Sequence, residues 1–207
     1  MQNNIEFVRN KYITLCEKES DIYEHLPTLY KYASECESCI ESGVRRCVSS
    51  WALLYGLVNN NKEEKRLLLN DVDVCNIDEL LNNTNELNVD IQYEWISNLK
   101  LEVNKNYDLT FIDTWHTYGQ LKRELQKFKN ITNKYIIMHD TTIDGEYSES
   151  IRKKHDIKEK MELNNFTYEE VTLGLWKAIE EFLSENSEWK LIEKYTNNNG
   201  LTIIKKD

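Results

Sequence analysis

Five short apolar runs, separated by segments of helical period, constrain this chain more than any other feature. They lie at residues 39–44, 66–72, 89–93, 107–113 and 134–140. Runs this short and this continuous are of the buried-strand type, and the one at 89–93 alternates weakly. Between them come segments with apolar residues three and four apart. One carries Trp51, Leu53, Leu54 and Leu57, with Ser49 and Ser50 placed to cap it. A short one spans 77–82, and another, at 118–128, carries Leu121, Leu125 and Phe128. Strand–helix alternation predicts an α/β fold: a doubly wound, mostly parallel sheet covered on both faces. A helix at 175–183 follows. Two last strands, 189–192 and 201–204, flank Asn197-Asn198-Asn199-Gly200, a strong hairpin signal. They bring the strand count to seven and insert an antiparallel strand.

Before the first strand, Ile5, Val8, Tyr12 and Cys16 give residues 1–24 one apolar helical face. Pro27 opens a second helix whose buried stripe is read as Leu26, Leu29, Tyr30 and Ala33. Residues 141–170 are polar without a clean period and read as an inserted lid. The expectation is one domain over 1–207, with a helical extension at 1–28.

Composition narrows the function classes. Twenty-six basic and 36 acidic residues give a net charge of −10, which disfavours general attraction to nucleic acid phosphates. At 40% hydrophobic and 11% aromatic, the chain can build a core. No apolar run approaches the roughly 18 residues of a membrane span, and no secretory signal is visible. Five cysteines, an odd number, argue against a disulfide framework, and Cys36-x-x-Cys39 reads as two half-buried thiols. A reducing, cytoplasmic setting is expected.

In an open parallel sheet, ligands bind beyond the carboxyl ends of the strands. Here those ends carry Glu41, Asp71, Asp113 and the pair His139-Asp140. Turn chemistry explains any one of these acids, but the set less well. An acid ending the second strand can accept both hydroxyls of a ribose. Gly43 lets the backbone approach a ligand closely. Two carboxylates and an imidazole at one rim can hold a divalent cation or act as acid and base.

These residues resemble class I S-adenosylmethionine-dependent methyltransferases. Glu41-Ser42-Gly43-Val44-Arg45-Arg46-Cys47-Val48-Ser49-Ser50 is similar to the family's first motif, E-x-G-x-x-x-G-x-S-[ST], with Cys47 in place of the second glycine. Phe111-Ile112-Asp113-Thr114-Trp115-His116-Thr117-Tyr118 and Ile136-Ile137-Met138-His139-Asp140-Thr141 are similar to the fourth- and fifth-strand motifs of small-molecule and sugar O-methyltransferases. The closing hairpin resembles that of the cephalosporin-hydroxylase-like and rhamnosyl methyltransferase group.

The resemblance implies a Rossmann-like fold and the following roles. Glu41, Ser42 and Gly43, with Ser49 and Ser50, line the methionine part of S-adenosylmethionine, and Arg45 or Arg46 anchors its carboxylate. Asp71 holds the ribose, with Asp73 as alternative, and Glu94 and Trp95 flank the adenine. Asp113 lies beneath the sulfonium and, with His139 and Asp140, completes a magnesium or manganese site. The histidine suits a transition metal better than magnesium. A metal-free site with His116 or His139 as general base is the alternative, since an unperturbed imidazole titrates near pH 6.5; a capping or structural role for His116 stays open. Trp115, Tyr118 and Thr141 contact the acceptor, with core packing of Trp115 or Tyr118 as the alternative. His25 is expected to be exposed, with an approach to the cofactor as the alternative, and His155 is expected to be solvated. The expected activity is O-methylation of a small polar, sugar-like acceptor, without nucleic acid or membrane partners and with self-association left open. The rivals are an N-methyltransferase, a catalytically silent cofactor-binding subunit (for which Cys47 speaks) and, disfavoured by the charge, an RNA-modifying enzyme.

Overall fold

A computed structural model describes residues 2–207. Five strands are parallel: β1 (Ser38–Ser42), β2 (Arg66–Asp71), β3 (Asp90–Trp95), β4 (Tyr107–Ile112) and β5 (Thr132–His139). The hairpin β6 (Trp189–Tyr195) and β7 (Leu201–Lys206) follows, and β7 enters antiparallel beside β5. The order across the sheet is β3-β2-β1-β4-β5-β7-β6. The chain therefore reverses direction of assembly between β1 and β4, which puts the crevice over the carboxyl ends of those two strands.

Alternate residues of each strand face opposite layers. Leu109 and Phe111 of β4 and Tyr135 and Ile137 of β5 pack with α1 (Gln2–Glu17), α2 (Leu26–Ser34) and α3 (Val48–Val58). Ile112, Ile136 and Met138 pack with α5 (Tyr118–Phe128) and α9 (Leu175–Glu185). Period-two alternation with both faces apolar makes each run look continuous in sequence. Between β2 and β3 lies α4 (Asp78–Asn82).

Several expectations are corrected. The first helix ends at Glu17, not residue 24. Beyond it the Ser20 hydroxyl accepts from the Ile22 backbone, and Tyr23–His25 forms a 3-10 turn. Tyr32, not Tyr30, completes the buried stripe of α2; Tyr30 is half-buried and stacks on Tyr55. Ser49 and Ser50 do not cap α3. Cys47 stands at the cap with φ +59, and both serines are buried inside the helix. Residues 141–170 contain three short helices, α6 (Glu149–Arg152), α7 (Ile157–Asn164) and α8 (Tyr168–Thr172). Their caps were readable: Ser148, Asp156 and Thr167 each accept from the backbone three residues on, and Thr167 with Glu170 forms a capping box. No helix among the described residues is long and apolar enough to cross a membrane.

Candidate active site

The floor of the crevice is the turn after β1. Gly43 has φ +98, and its backbone nitrogen donates to the Asn70 carbonyl at 2.9 Å. Asp113 donates from its own nitrogen to the Ser42 carbonyl at 2.8 Å, so the ends of β1 and β4 are tied directly. A Cβ on Gly43 would overlap the Asp113 carbonyl, which makes glycine obligatory here. The turn then runs through two left-handed residues, Arg45 (φ +48) and Cys47 (φ +59). Cys47 thus adopts the conformation that a glycine takes at no steric cost, and the loop is built without it.

Two clefts meet at this turn. One, of about 330 Å³, lies under the end of α1 and reaches Ser49 at the start of α3. The other, of about 310 Å³, is lined by Asn70, Val72, Ser97, Asn98, Trp115 and Gln120. Gly43, Arg45 and Asp113 line both.

Beneath the junction lies a buried polar cluster. His116 Nε2 is 3.2 Å from Asp113 Oδ1, and its Nδ1 is 3.0 Å from both Asp140 Oδ2 and Asp144 Oδ2. His139 Nδ1 is 3.3 Å from Asp113 Oδ1, and its Nε2 faces the Asn198 carbonyl at 3.2 Å. Asp140, just past β5, has φ +57, a conformation that Asp tolerates, and its buried Oδ1 has no hydrogen-bond partner.

The electrostatics follow from this crowding. Burial acts to lower His116, but the carboxylates of Asp113, Asp144 and Asp140 raise it to about 10. Both ring nitrogens face carboxylate oxygens, an arrangement that favours the protonated ring. Burial also opposes protonation of His139, yet Asp113 and Asp140 push it upward. Burial acts to raise the Asp113 carboxyl, and the two histidines hold it well below the ordinary range. Asp140 lies above that range because of its burial.

The remaining expected residues divide. Glu41 is fully buried beneath the turn and accepts from the Ser49 hydroxyl, and burial raises its carboxyl to about 8. Ser42 is buried with its hydroxyl 3.4 Å from Asn70 Oδ1, and Ser50 is buried behind Ser49. Asp71 lines the second cleft, but its carboxylate is taken up by backbone donors: Val44 at 2.8 Å, Arg45 at 3.0 Å and Asp73 at 2.9 Å. Arg45 pairs with Asp21 at 2.7 Å.

Glu94 and Trp95 line neither cleft. They end the edge strand β3, exposed, and Trp95 donates to the Val72 carbonyl. Trp115 lines the second cleft and stacks on Phe166. Tyr118 faces α9, where its hydroxyl donates to Glu181 at 2.7 Å. It lies in line with Leu121, Leu125 and Phe128, so the helical period places it on the buried face of α5 and not at the rim. Thr141 is buried and accepts from the Thr202 hydroxyl. His25 is buried, not exposed: its Nε2 faces the Asn197 and Asn198 carbonyls, and its ring meets that of His139 edge-on at 5.7 Å.

Sequence reasoning missed Asp144, Glu149 and Arg152, which surround His116 from the segment after β5. It also missed Asn70, Asn98 and Gln120 along the second cleft.

No protein-family model matches the chain, and no curated protein sequence matches it significantly. Solved structures do. A candidate caffeoyl-CoA O-methyltransferase from Staphylococcus aureus superposes with a TM-score of 0.60 at 14% identity, over 98% of this chain and 92% of that one. An O-methyltransferase from Bacillus cereus, solved with S-adenosylhomocysteine, gives 0.58 at 12% over 99% and 91%. The N-methyltransferase NodS from Bradyrhizobium japonicum WM9, also with S-adenosylhomocysteine, gives 0.56 at 12% over 99% and 98%. The seven-stranded sheet in this order, with the crevice between β1 and β4, is the fold of the class I S-adenosylmethionine-dependent methyltransferases.

Proposed function

We propose that the chain is an S-adenosylmethionine-dependent O-methyltransferase acting on a small polar acceptor, with a sugar or nucleotide-sugar hydroxyl as the preferred class. One observation carries the reading: Asp113 lines both clefts, in contact with the glycine turn on one side and with a buried cluster of acid and imidazole groups on the other. One cleft then takes the cofactor and the other the acceptor. The sugar preference rests on the motif resemblance. The acceptors named for the fold neighbours do not narrow it, because fold similarity is a weak guide to substrate.

Methyl transfer is an in-line displacement at the sulfonium. The protein has to align donor and acceptor and handle the acceptor's proton. Asp113 places negative charge at the junction of the clefts, where it would favour a cationic sulfonium. His116 and His139, each with a ring nitrogen on Asp113 Oδ1, would balance that charge from behind. Asp140 lies behind Asp113 and lines neither cleft; it is the cluster's spare proton acceptor, with Asp113 between it and the methyl acceptor. The Asp140 carboxyl is raised by burial, its Oδ1 is free of hydrogen bonds, and His116 holds its other oxygen.

The residues also fit a divalent cation. Asp113, His139 and Asp140 converge, and the unpartnered Asp140 oxygen is spare ligand capacity. When bound, such an ion supplies Lewis-acid stabilisation of the acceptor oxygen, and a mixed nitrogen–oxygen set favours manganese over magnesium.

The test is isothermal titration with S-adenosylhomocysteine followed by a methyl-transfer screen over nucleotide sugars. Absence of binding refutes the reading. An N-methyltransferase reading has NodS among the fold neighbours behind it, and turnover of amines with none of hydroxyl acceptors would establish it instead.

A further inference from the structure

Asp144 is fully buried, on the connection four residues past Asp140. Arg152 grips it with a two-pronged fork: Nε donates to Oδ1 and Nη2 to Oδ2, each at 2.6 Å. That geometry restrains the carboxylate in position and plane. The same Oδ2 lies 3.0 Å from His116 Nδ1. The segment also holds the His116 backbone. Glu149 donates from its nitrogen to the His116 carbonyl at 2.9 Å, and its side chain accepts from the His116 nitrogen at 3.4 Å. Asp144 is anchored in turn by its nitrogen to the Asp140 carbonyl and by its carbonyl, which accepts from Leu175.

A surface ion pair that merely pinned this segment would not need a fully buried carboxylate. Nor would it place the carboxylate's second lone pair on an imidazole at the site. With acceptors on Nδ1, that nitrogen carries a hydrogen, and Nε2 is delivered to Asp113 at the meeting point of the clefts.

We propose that Asp144, clamped by Arg152, is the positioning residue of His116, setting its ring plane and its Nδ1–H so that Nε2 addresses Asp113. The inference rests on the methyl-transfer reading for its purpose but not for its test.

The test is proton–nitrogen correlation NMR of the imidazole side chains in the full chain, with and without S-adenosylhomocysteine. There are only four histidines to assign. In the wild type, His116 should show a protected Nδ1 proton. Asp144→Asn loses the charge and keeps one acceptor oxygen, too few for both prongs of Arg152 and His116, which leaves Nδ1 chiefly to Asp140 Oδ2, also at 3.0 Å. The variant should shift the His116 signals and speed exchange of the Nδ1 proton by at least about tenfold, the scale of one charge-assisted hydrogen bond. Arg152→Gln, which leaves Asp144 in place but unclamped, should produce a smaller change in the same direction, and Arg152→Lys should partly restore the wild-type spectrum. Unaltered His116 signals in a folded Asp144→Asn protein would overturn the proposal. If that variant does not fold, unaltered signals in Arg152→Gln do the same. Failure of the wild type to bind S-adenosylhomocysteine would sink the methyl-transfer reading and leave this measurement standing.

Discussion

The carbonyl group of Asp113 occupies the space in which a side chain on Gly43 would start: a Cβ there would come within 2.6 Å of the Asp113 carbonyl carbon, which is backbone and has no room to retreat. The ends of β1 and β4 therefore touch through main chain, and the crevice floor depends on one missing methyl group. Gly43→Ala combines this overlap with a φ of +98. It should destabilise the protein by at least about 2 kcal/mol, and S-adenosylhomocysteine binding should be lost even where the variant remains folded. Thermal denaturation and calorimetry check the two halves. Full affinity in the alanine variant would show that the turn does not shape the cofactor cleft.

Cys47 tests the opposite substitution. It sits in the left-handed region where the resembled motif has glycine, and it is buried with its thiol 3.7 Å from the Asn76 carbonyl. Cys47→Gly relieves backbone strain and loses a small buried side chain, two effects of about 1 kcal/mol each and of opposite sign. Stability should change by less than about 1 kcal/mol, with cofactor affinity retained. Cys47→Val, β-branched at a positive φ, should lower the melting temperature clearly. A glycine variant that gains S-adenosylhomocysteine binding absent from the wild type would favour the silent-subunit reading.

The sheet was legible because strands buried on both faces leave continuous apolar runs, and because acids cluster where such strands end. The partners of those acids were not. Asp71 lies where expected, yet its carboxylate serves the backbone of the β1 turn, 26 and 27 residues away in sequence. Tyr118 continues the apolar stripe of Leu121, Leu125 and Phe128, and only the motif resemblance drew it toward the rim. Asp144, Glu149 and Arg152 come from a charged stretch that looks like solvated surface. They acquire meaning only when the chain after β5 folds back over His116, which is 28 residues before Asp144. A polar side chain is read correctly from sequence when its neighbours are local, and these are not.

Glu41 gives the fold a pH dependence of definite sign. Burial raises its carboxyl to about 8, against an ordinary value of 4.5, and the Ser49 hydroxyl only partly offsets this. The folded state prefers the protonated acid. Glu41's contribution is therefore fully present below about pH 4.5 and is lost as pH rises through about 8, amounting to several kcal/mol across that window. Glu41→Gln keeps the shape and removes the titration. Denaturant midpoints measured from pH 5 to 9 should fall less steeply in the variant than in the wild type, and the variant should be the more stable protein at pH 9. Parallel curves would mean that Glu41 is charged at no cost in the folded protein.

His139 gives the last prediction, on metal binding. Its Nε2 faces the Asn198 carbonyl at 3.2 Å and so carries a hydrogen, which turns Nδ1 toward Asp113 Oδ1 at 3.3 Å and Asp140 Oδ2 at 3.7 Å. An imidazole lone pair does not face two carboxylates without a cation between them. Either a proton or a metal ion satisfies that geometry, and the ligand set of one nitrogen and two carboxylates favours manganese over magnesium. Protein stripped with a chelator should bind Mn²⁺ in calorimetry and bind Mg²⁺ at least about tenfold more weakly. Asp113→Asn and His139→Gln should each weaken Mn²⁺ by roughly 10- to 100-fold, as loss of ligands or their close supports does elsewhere. Chelated protein that takes up neither ion would assign the role of cation to the His139 proton and leave Asp140 as the cluster's spare proton acceptor in a metal-free reaction.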